Sequence, residues 1–420
     1  MAGLNTVQER FRKRAQLFFD LHGFPTKKQE DYKYTSVKEI HQGDFKTTNA
    51  RVTLSAADQA QVEQLKIDRA LNLVFINGVF SPDCTGKVDP KKWKSVGLGV
   101  GTRLSSKWMS PFLKARREIK DLRQDSFEAV HRLMTPKHYL LQFKPTKSVP
   151  VVNLILLNQG IKTLATPSLF IHCLEKSEAQ VLVSVASCEQ SLVWQNSVIE
   201  GLLERDSQLT FVINQNMNQK SYLVGKERFS LRKGSRLHSL SLAQGSKIHR
   251  QNLDVHLIEE SANAVVDGVT VARGEQVIDH HTLIDHLKSN GTTSQLYKGV
   301  LTDQSRSVFD GLVKMRPGIE KASSDQLNNN LLLSEQAEAD SKPQLMIYAD
   351  DVKATHGSTV GQMNDDEMFY LMSRGIPRSE AQQMLALGYV GELIEKLPSA
   401  GLKEILMKQL LDTLKELGLK

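Results

Sequence analysis

Apolar and polar positions follow two different periods along the chain, and the change of period divides it into three parts. Between residues 138 and 362 the apolar residues come in short runs: Val151–Leu157, Leu169–Cys173, Val181–Val185, Leu209–Ile213, Leu223–Leu231, Leu237–Leu242, Leu253–Ile258, Val265–Val271 and Gln276–Asp279. Their centres recur every 10–15 residues or so, with polar Asn, Gln, Gly and Ser turns between them, which predicts short strands. Residues 1–137 read as a mainly helical region with one strand pair. Helices are predicted for 1–22 (Phe11, Ala15, Phe18 and Phe19 on the apolar face, Gly23 and Pro25 at the end), for Ser55–Leu71 and for Arg116–Leu133. The strand pair is Asn72–Phe80, turning at Asn77-Gly78. Residues 363–420 read as a helical domain, with Asn364 capping a first helix. Two more follow, at 379–398, where Ser379 and Gln382 form a capping box, and at 401–418.

Convincing helices are missing between the central strands, which argues against βαβ units. A sandwich, a barrel and a β-helix remain. Gly234-Ser235 and Gly245-Ser246 have the look of corners in stacked coils, but periodicity by itself does not separate the three.

Composition narrows the class. The chain has 420 residues, 40% apolar and 24% charged, enough for two or three domains of ordinary globular type. No apolar run approaches the ~18 residues that span a bilayer, and the N-terminus becomes charged before a signal-peptide core can form, so a cytoplasmic location is expected. Three cysteines, Cys84, Cys173 and Cys188, give neither a disulfide framework nor the roughly four thiolates that would hold a metal cluster on this chain alone. The net charge of +7 is uneven: residues 1–150 hold 27 Lys/Arg against 15 Asp/Glu. Without a helix-turn-helix, zinc finger or aromatic RNA motif, this basic half implies an acidic partner or solvent before nucleic acid.

Few residues suggest chemistry. Gly97, Gly99 and Gly101 fit no phosphate-binding motif and read as a loop, and no Walker lysine is present. The densest ionisable cluster is Asp279-His280-His281, with Asp285-His286 close behind. It suits either a metal site or a hydrogen-bonded polar ladder. From Lys342 the chain reads as a strand stopped by Asp350 and Asp351, then a polar turn over Ala354-Thr355-His356-Gly357-Ser358, with Gly357 and Gly361 supplying backbone freedom. One histidine, His356, sits where the strand-rich body hands over to the helical tail. No Ser-His-Asp or Cys-His signature appears, which points to a non-catalytic scaffold.

These last residues carry a resemblance. YADDVKATHGSTVG, followed by DDEMFYLMSRGI, is similar to the signature of the SufB/SufD family of iron–sulfur cluster assembly proteins, and most similar to its SufD branch. So are Glu30–Thr35, the Asn77-Gly78 turn, Asp279–Thr282, Ser294–Gly299, Ser305–Gly311 and Asn328–Leu333. The resemblance is strong over residues 250–395. It implies a right-handed parallel β-helix core flanked by the two helical regions. It also implies pairing with SufB through the β-helix, binding of the ATPase SufC through the C-terminal helices, and no nucleotide on this chain itself. An iron–sulfur cluster would be held transiently and shared with SufB, with His356 as ligand or close neighbour across from a SufB cysteine. Many relatives have Cys-Ser-His-Gly at this turn. Here Ala354 stands in place of the cysteine, so this loop offers no thiol. Two rival readings are a β-helix enzyme acting on polysaccharide and a nucleic-acid-binding protein using the basic half. The first lacks the usual secretion signal, and the second predicts steeply salt-dependent duplex binding.

Overall fold

In the computed structural model, which describes residues 2–48, 53–89, 93–101, 106–119, 121–123 and 125–417, the central chain winds as a parallel β-helix of about eight turns. Each coil gives one strand to each of two sheets. Leu192–Leu203, Tyr222–Leu231, Ile248–Leu257, Val277–His286, Arg306–Met315 and Glu338–Ile347 stack in the first sheet. Gln208–Asn216, Arg236–Ala243, Asn263–Ala272, Thr292–Leu301, Ala322–Leu332 and Val352–Gly361 stack in the second. A coil takes about 29 residues, as the pairing of Ile248 with Val277 and of Val277 with Arg306 shows. The N-terminal region starts both sheets: Leu71–Ile76 pairs in parallel with Val151–Asn158, and Val96–Gly101 runs antiparallel to His138–Phe143.

Side chains alternate between interior and exterior, as they must on a pleated strand. Leu253, Val255 and Leu257 enter the central core, while Ile248 and Arg250 face outwards beneath the N-terminal region. Both outer faces are covered, so these outward residues are buried too. That is why runs of the first sheet look apolar or polar throughout without alternating.

The corners repeat as regularly as the strands. Lys176, Asp206, Gly234, Ser261, Asn290 and Lys321 occupy the same corner of successive coils, all at positive φ between 53° and 67°. Each donates its backbone N–H to the next coil: Asp206 to Lys233 O at 3.0 Å, Ser261 to Ser289 O at 3.2 Å, Asn290 to Glu320 O at 2.9 Å. The left-handed conformation aims the amide along the stack, and only glycine adopts it without steric cost. Ser261→Val should therefore destabilise by about 1–2 kcal/mol and Ser261→Gly should not. Urea unfolding of both variants checks this; equal losses would show that the corner backbone is indifferent to Cβ.

Ala2–His22, Ser106–Glu118 and Ser126–Met134 lie over the first sheet. Tyr32, Val37, Ile40 and Phe127 pack on Trp194, Tyr222, Val224 and Ile248. Buried charges tie the layers together. Arg250 Nη1 donates to Asp279 Oδ2 at 2.6 Å and to Asp31 O at 2.7 Å, and its guanidinium lies 3.8 Å over the Tyr32 ring. Glu128 accepts from Arg132 at 2.5 Å and from Arg228 at 3.2 Å.

Arg378–Glu395 and Ala400–Lys415 lie over the second sheet. Val390, Leu393, Leu402, Leu406 and Leu410 belong to the same buried cluster as Val212, Leu240, Leu242, Val269 and Val300. Lys298 Nζ donates to Tyr389 O at 2.9 Å and pairs with Glu392 at 2.9 Å. The tail is thus docked on the body by its apolar face. No helix among the described residues is long and apolar enough to cross a membrane.

Several local expectations are corrected. Gly97–Gly101 is a strand, and a Cβ on Gly99 would collide with the Trp108 ring, so the glycine serves packing. Arg116–Leu133 is two helices, because Asp125 caps the second by accepting from Glu128 N at 2.6 Å; positions 120 and 124 lie outside the described residues. The helix from Ser55 stops at Leu65, because the Asn72 side chain bonds both Ile67 N and Ile67 O at 2.9 Å. The helix predicted at 379–398 starts after Pro377, with no side-chain cap. The last helix is capped by Ser399, and its expected end at 418 lies outside the described residues, as does Met1 of the first. Leu192–Leu203, Thr292–Leu301, Arg306–Met315 and Ala322–Leu332 are strands that the apolar pattern does not mark.

Candidate functional site on the last coil

The coil formed by Glu338–Ile347 and Val352–Gly361 ends the stack. Each strand has a neighbour on one side only, Arg306–Met315 and Ala322–Leu332 respectively. Their other edges present unpaired backbone donors and acceptors among the described residues, a template for a further strand.

The expected turn at Ala354–Ser358 is instead the middle of a strand. Its composition favours a turn, but pairing over ten consecutive positions with Ala322–Leu331 holds it extended. Neither Gly357 nor Gly361 has a positive φ. Thr355 Oγ1 donates to Asp325 at 2.6 Å and Thr359 Oγ1 to Asn329 at 2.9 Å, so the outward face is laced to the coil below. His356 falls on the opposite face, with Val352 and Ala354, which pack against the core. It stands in register with Gln326, whose side-chain atoms are buried without a partner among the described residues. With no coil above it, the His356 side chain is exposed although it faces the axis. An exposed imidazole at the open end of a stiff stack can meet a metal ion or a partner group without being carried on a loop.

Large apolar side chains are also exposed on this end of the stack: Leu327, Met346, Tyr348 and Val360. Beyond Asn364, whose side chain accepts from Asp366 N at 2.8 Å, the helix Asp365–Ser373 exposes Phe369, Tyr370 and Met372. Motif reading points to His356 but not to these neighbours. The signal that marks Met346, Tyr348 and Val360 is an apolar residue on or directly after a strand whose stack has ended, which becomes visible only once the register is known.

The Asp279–His286 cluster resolves into separate hydrogen-bonded pairs. His280 faces the interior, 3.1 Å from Gln251 Oε1 and 3.2 Å from Thr270 Oγ1, and burial pulls its pKa down to about 4. His286, also pulled down to about 4 by burial, is 3.0 Å from Thr293 Oγ1. His281 faces outwards, 2.9 Å from Asp279 and 3.0 Å from Arg250. Among the described residues no three His, Cys, Asp or Glu side chains converge as a metal site would require. Cys173 and Cys188 are buried in different clusters, and burial pushes both thiols up to about 12.

Comparison with known proteins gives a consistent result. Residues 155–389 match the family model described as SUF system FeS cluster assembly, SufBD core domain, and residues 2–93 match the SufBD protein N-terminal region. An iron–sulfur cluster assembly SufBD family protein of Synechocystis is 27% identical over 401 residues, 90% of this chain and 85% of that protein. The iron–sulfur cluster assembly protein SufD of Escherichia coli is 28% identical over 386 residues, 91% of this chain and 87% of that protein. The protein of the same name from Bacillus subtilis is 36% identical over 156 residues, 36% of each chain.

Proposed function

Given that the chain belongs to the SufBD family of iron–sulfur cluster assembly proteins, we propose that it is a SufD-type scaffold subunit that performs no bond-making of its own. It pairs with SufB through the last coil. The cluster under assembly is the cargo of that seam, and His356 is its ligand or immediate neighbour from this side. The observation that carries this reading is the open strand Val352–Gly361, with His356 exposed at its centre and further apolar side chains exposed on the same end of the stack. Neutral imidazole is a competent iron ligand, and the absence of a thiol at Ala354 leaves thiolate ligation to the partner.

SufC binding is assigned to 363–420, the C-terminal helical domain. The faces of Arg378–Glu395 and Ala400–Lys415 are committed to the body, so the docking groups are Phe369, Tyr370 and Met372 on the helix before them. Phe369 is 74% exposed.

Co-expression with SufB and SufC tests both parts. His356→Ala should leave the complex intact while lowering iron and acid-labile sulfide recovered on it, with cluster affinity down roughly tenfold or more. Unchanged cluster content would remove His356 from the site. Phe369→Asp should abolish co-purification of SufC with this chain; full retention would move the SufC contact elsewhere.

A further inference from the structure

Between Ala2–His22 and the helices Ser106–Glu118 and Ser126–Met134 lies a cavity of about 420 Å³, which shares no lining residue with the last coil and is unused by the function above. That volume is in the range of small-ligand pockets. Phe11, Phe18, Leu113 and Leu122 give it an apolar lining. Arg14, Arg116, Arg117 and Arg132 line it as well, against Asp125 and Glu128. The acids are already engaged. Asp125 caps the backbone of Glu128, and Glu128 accepts from Arg132 and Arg228. Arg116 is bound to Glu200 at 2.9 Å. Arg14 and Arg117 are exposed and have no ion-pair partner among the described residues. The cavity therefore carries surplus positive charge over a hydrophobic floor.

We propose that this cavity binds an amphipathic organic anion: a carboxylate or phosphate held by Arg14 and Arg117, on an apolar body seated against Phe11, Phe18, Leu113 and Leu122. Guanidinium forks match both headgroups bidentately, and the apolar walls supply what a free inorganic ion cannot use. Two headgroups share this chemistry, and the experiment separates them.

Calorimetric titration of the full chain with octyl phosphate, octanoate, 1-octanol and inorganic phosphate is the test. Saturable one-to-one binding of octyl phosphate or octanoate is expected, the tighter of the two naming the headgroup, with inorganic phosphate and 1-octanol each weaker by roughly tenfold or more. Arg14→Ala/Arg117→Ala, at exposed unpaired positions that folding does not need, should weaken the preferred anion by roughly tenfold. Three results would overturn the proposal: no saturable binding of either anion, equal binding of the neutral alcohol, or a double variant within about twofold of the parent.

Discussion

Arg250→Leu is expected to cost about 3–5 kcal/mol of folding stability, the usual penalty for breaking a buried ion pair by removing one partner. Arg250 is almost fully buried, and its guanidinium serves three groups at once: Asp279, the Asp31 carbonyl and the face of Tyr32. Burial by itself would raise the Asp279 carboxyl; Arg250 and His281 outweigh it and hold the group well below the usual carboxylate range. With the arginine gone, that carboxylate is left inside the protein without its strongest partner. The segment Glu30–Thr35 also loses the bond to Asp31 O and the contact on Tyr32, and is left with Thr35 Oγ1 donating to Asp279 at 2.5 Å. Urea denaturation measures the loss, and limited proteolysis should begin cutting near residues 24–36. Arg250→Leu/Asp279→Leu should recover part of the stability, because no unpaired charge is left inside, while Thr35 Oγ1 and His281 still lose their bonds to Asp279. A double variant as unstable as the single one would mean that the pair matters through packing and not through charge.

Glu227→Gln is expected to act in the opposite direction. Glu227 is buried on a first-sheet strand, and burial pushes its carboxyl from the ordinary 4.5 up to about 8, with Asp254 adding to the rise and Lys226 and Gln251 opposing it. The folded protein thus keeps this side chain neutral at pH 7, whereas the unfolded chain ionises it. The stabilisation is complete below pH 4.5, falls as pH rises, and is lost above pH 8, at about 1.4 kcal/mol per unit between. Glutamine keeps the shape and is neutral at every pH. The variant should match the wild type near pH 4.5 and exceed it by roughly 3 kcal/mol at pH 7. Urea midpoints at pH 5, 6, 7 and 8 follow the difference, and parallel curves would place the titrating group elsewhere.

What could be read in advance depended on which face of a strand meets which kind of neighbour. Val151–Leu157, Leu223–Leu231 and Val265–Val271 are legible because apolar residues dominate there. Leu192–Leu203 is not. Its Gln195-Asn196-Ser197 run has turn composition, yet Asn196 is buried with its amide donating to Phe127 O at 2.8 Å. Ala322–Leu332 is masked the same way by Gln326, Asn328 and Asn330, which point into the coil where a core residue is usual. Ala354–Ser358 carries turn residues in a strand, because a long parallel register outweighs local propensity. The choice of a β-helix over a sandwich came from the family resemblance, and the structure bears it out. The neighbourhood of His356 was hidden for another reason. That side chain has an axis-facing position and yet is exposed, and this combination exists only where a stack stops.

The corner residues from Lys176 to Lys321 have a further consequence. Because every coil closes with the same backbone bond to the next, a coil is a unit that can be added or removed whole, and the body can change length only in increments of about 4.8 Å. The span between the N-terminal helices and the last strand is thus fixed by counting. Inserting or deleting one period would shift His356 by a full increment against everything docked on the outer faces, with no intermediate setting available.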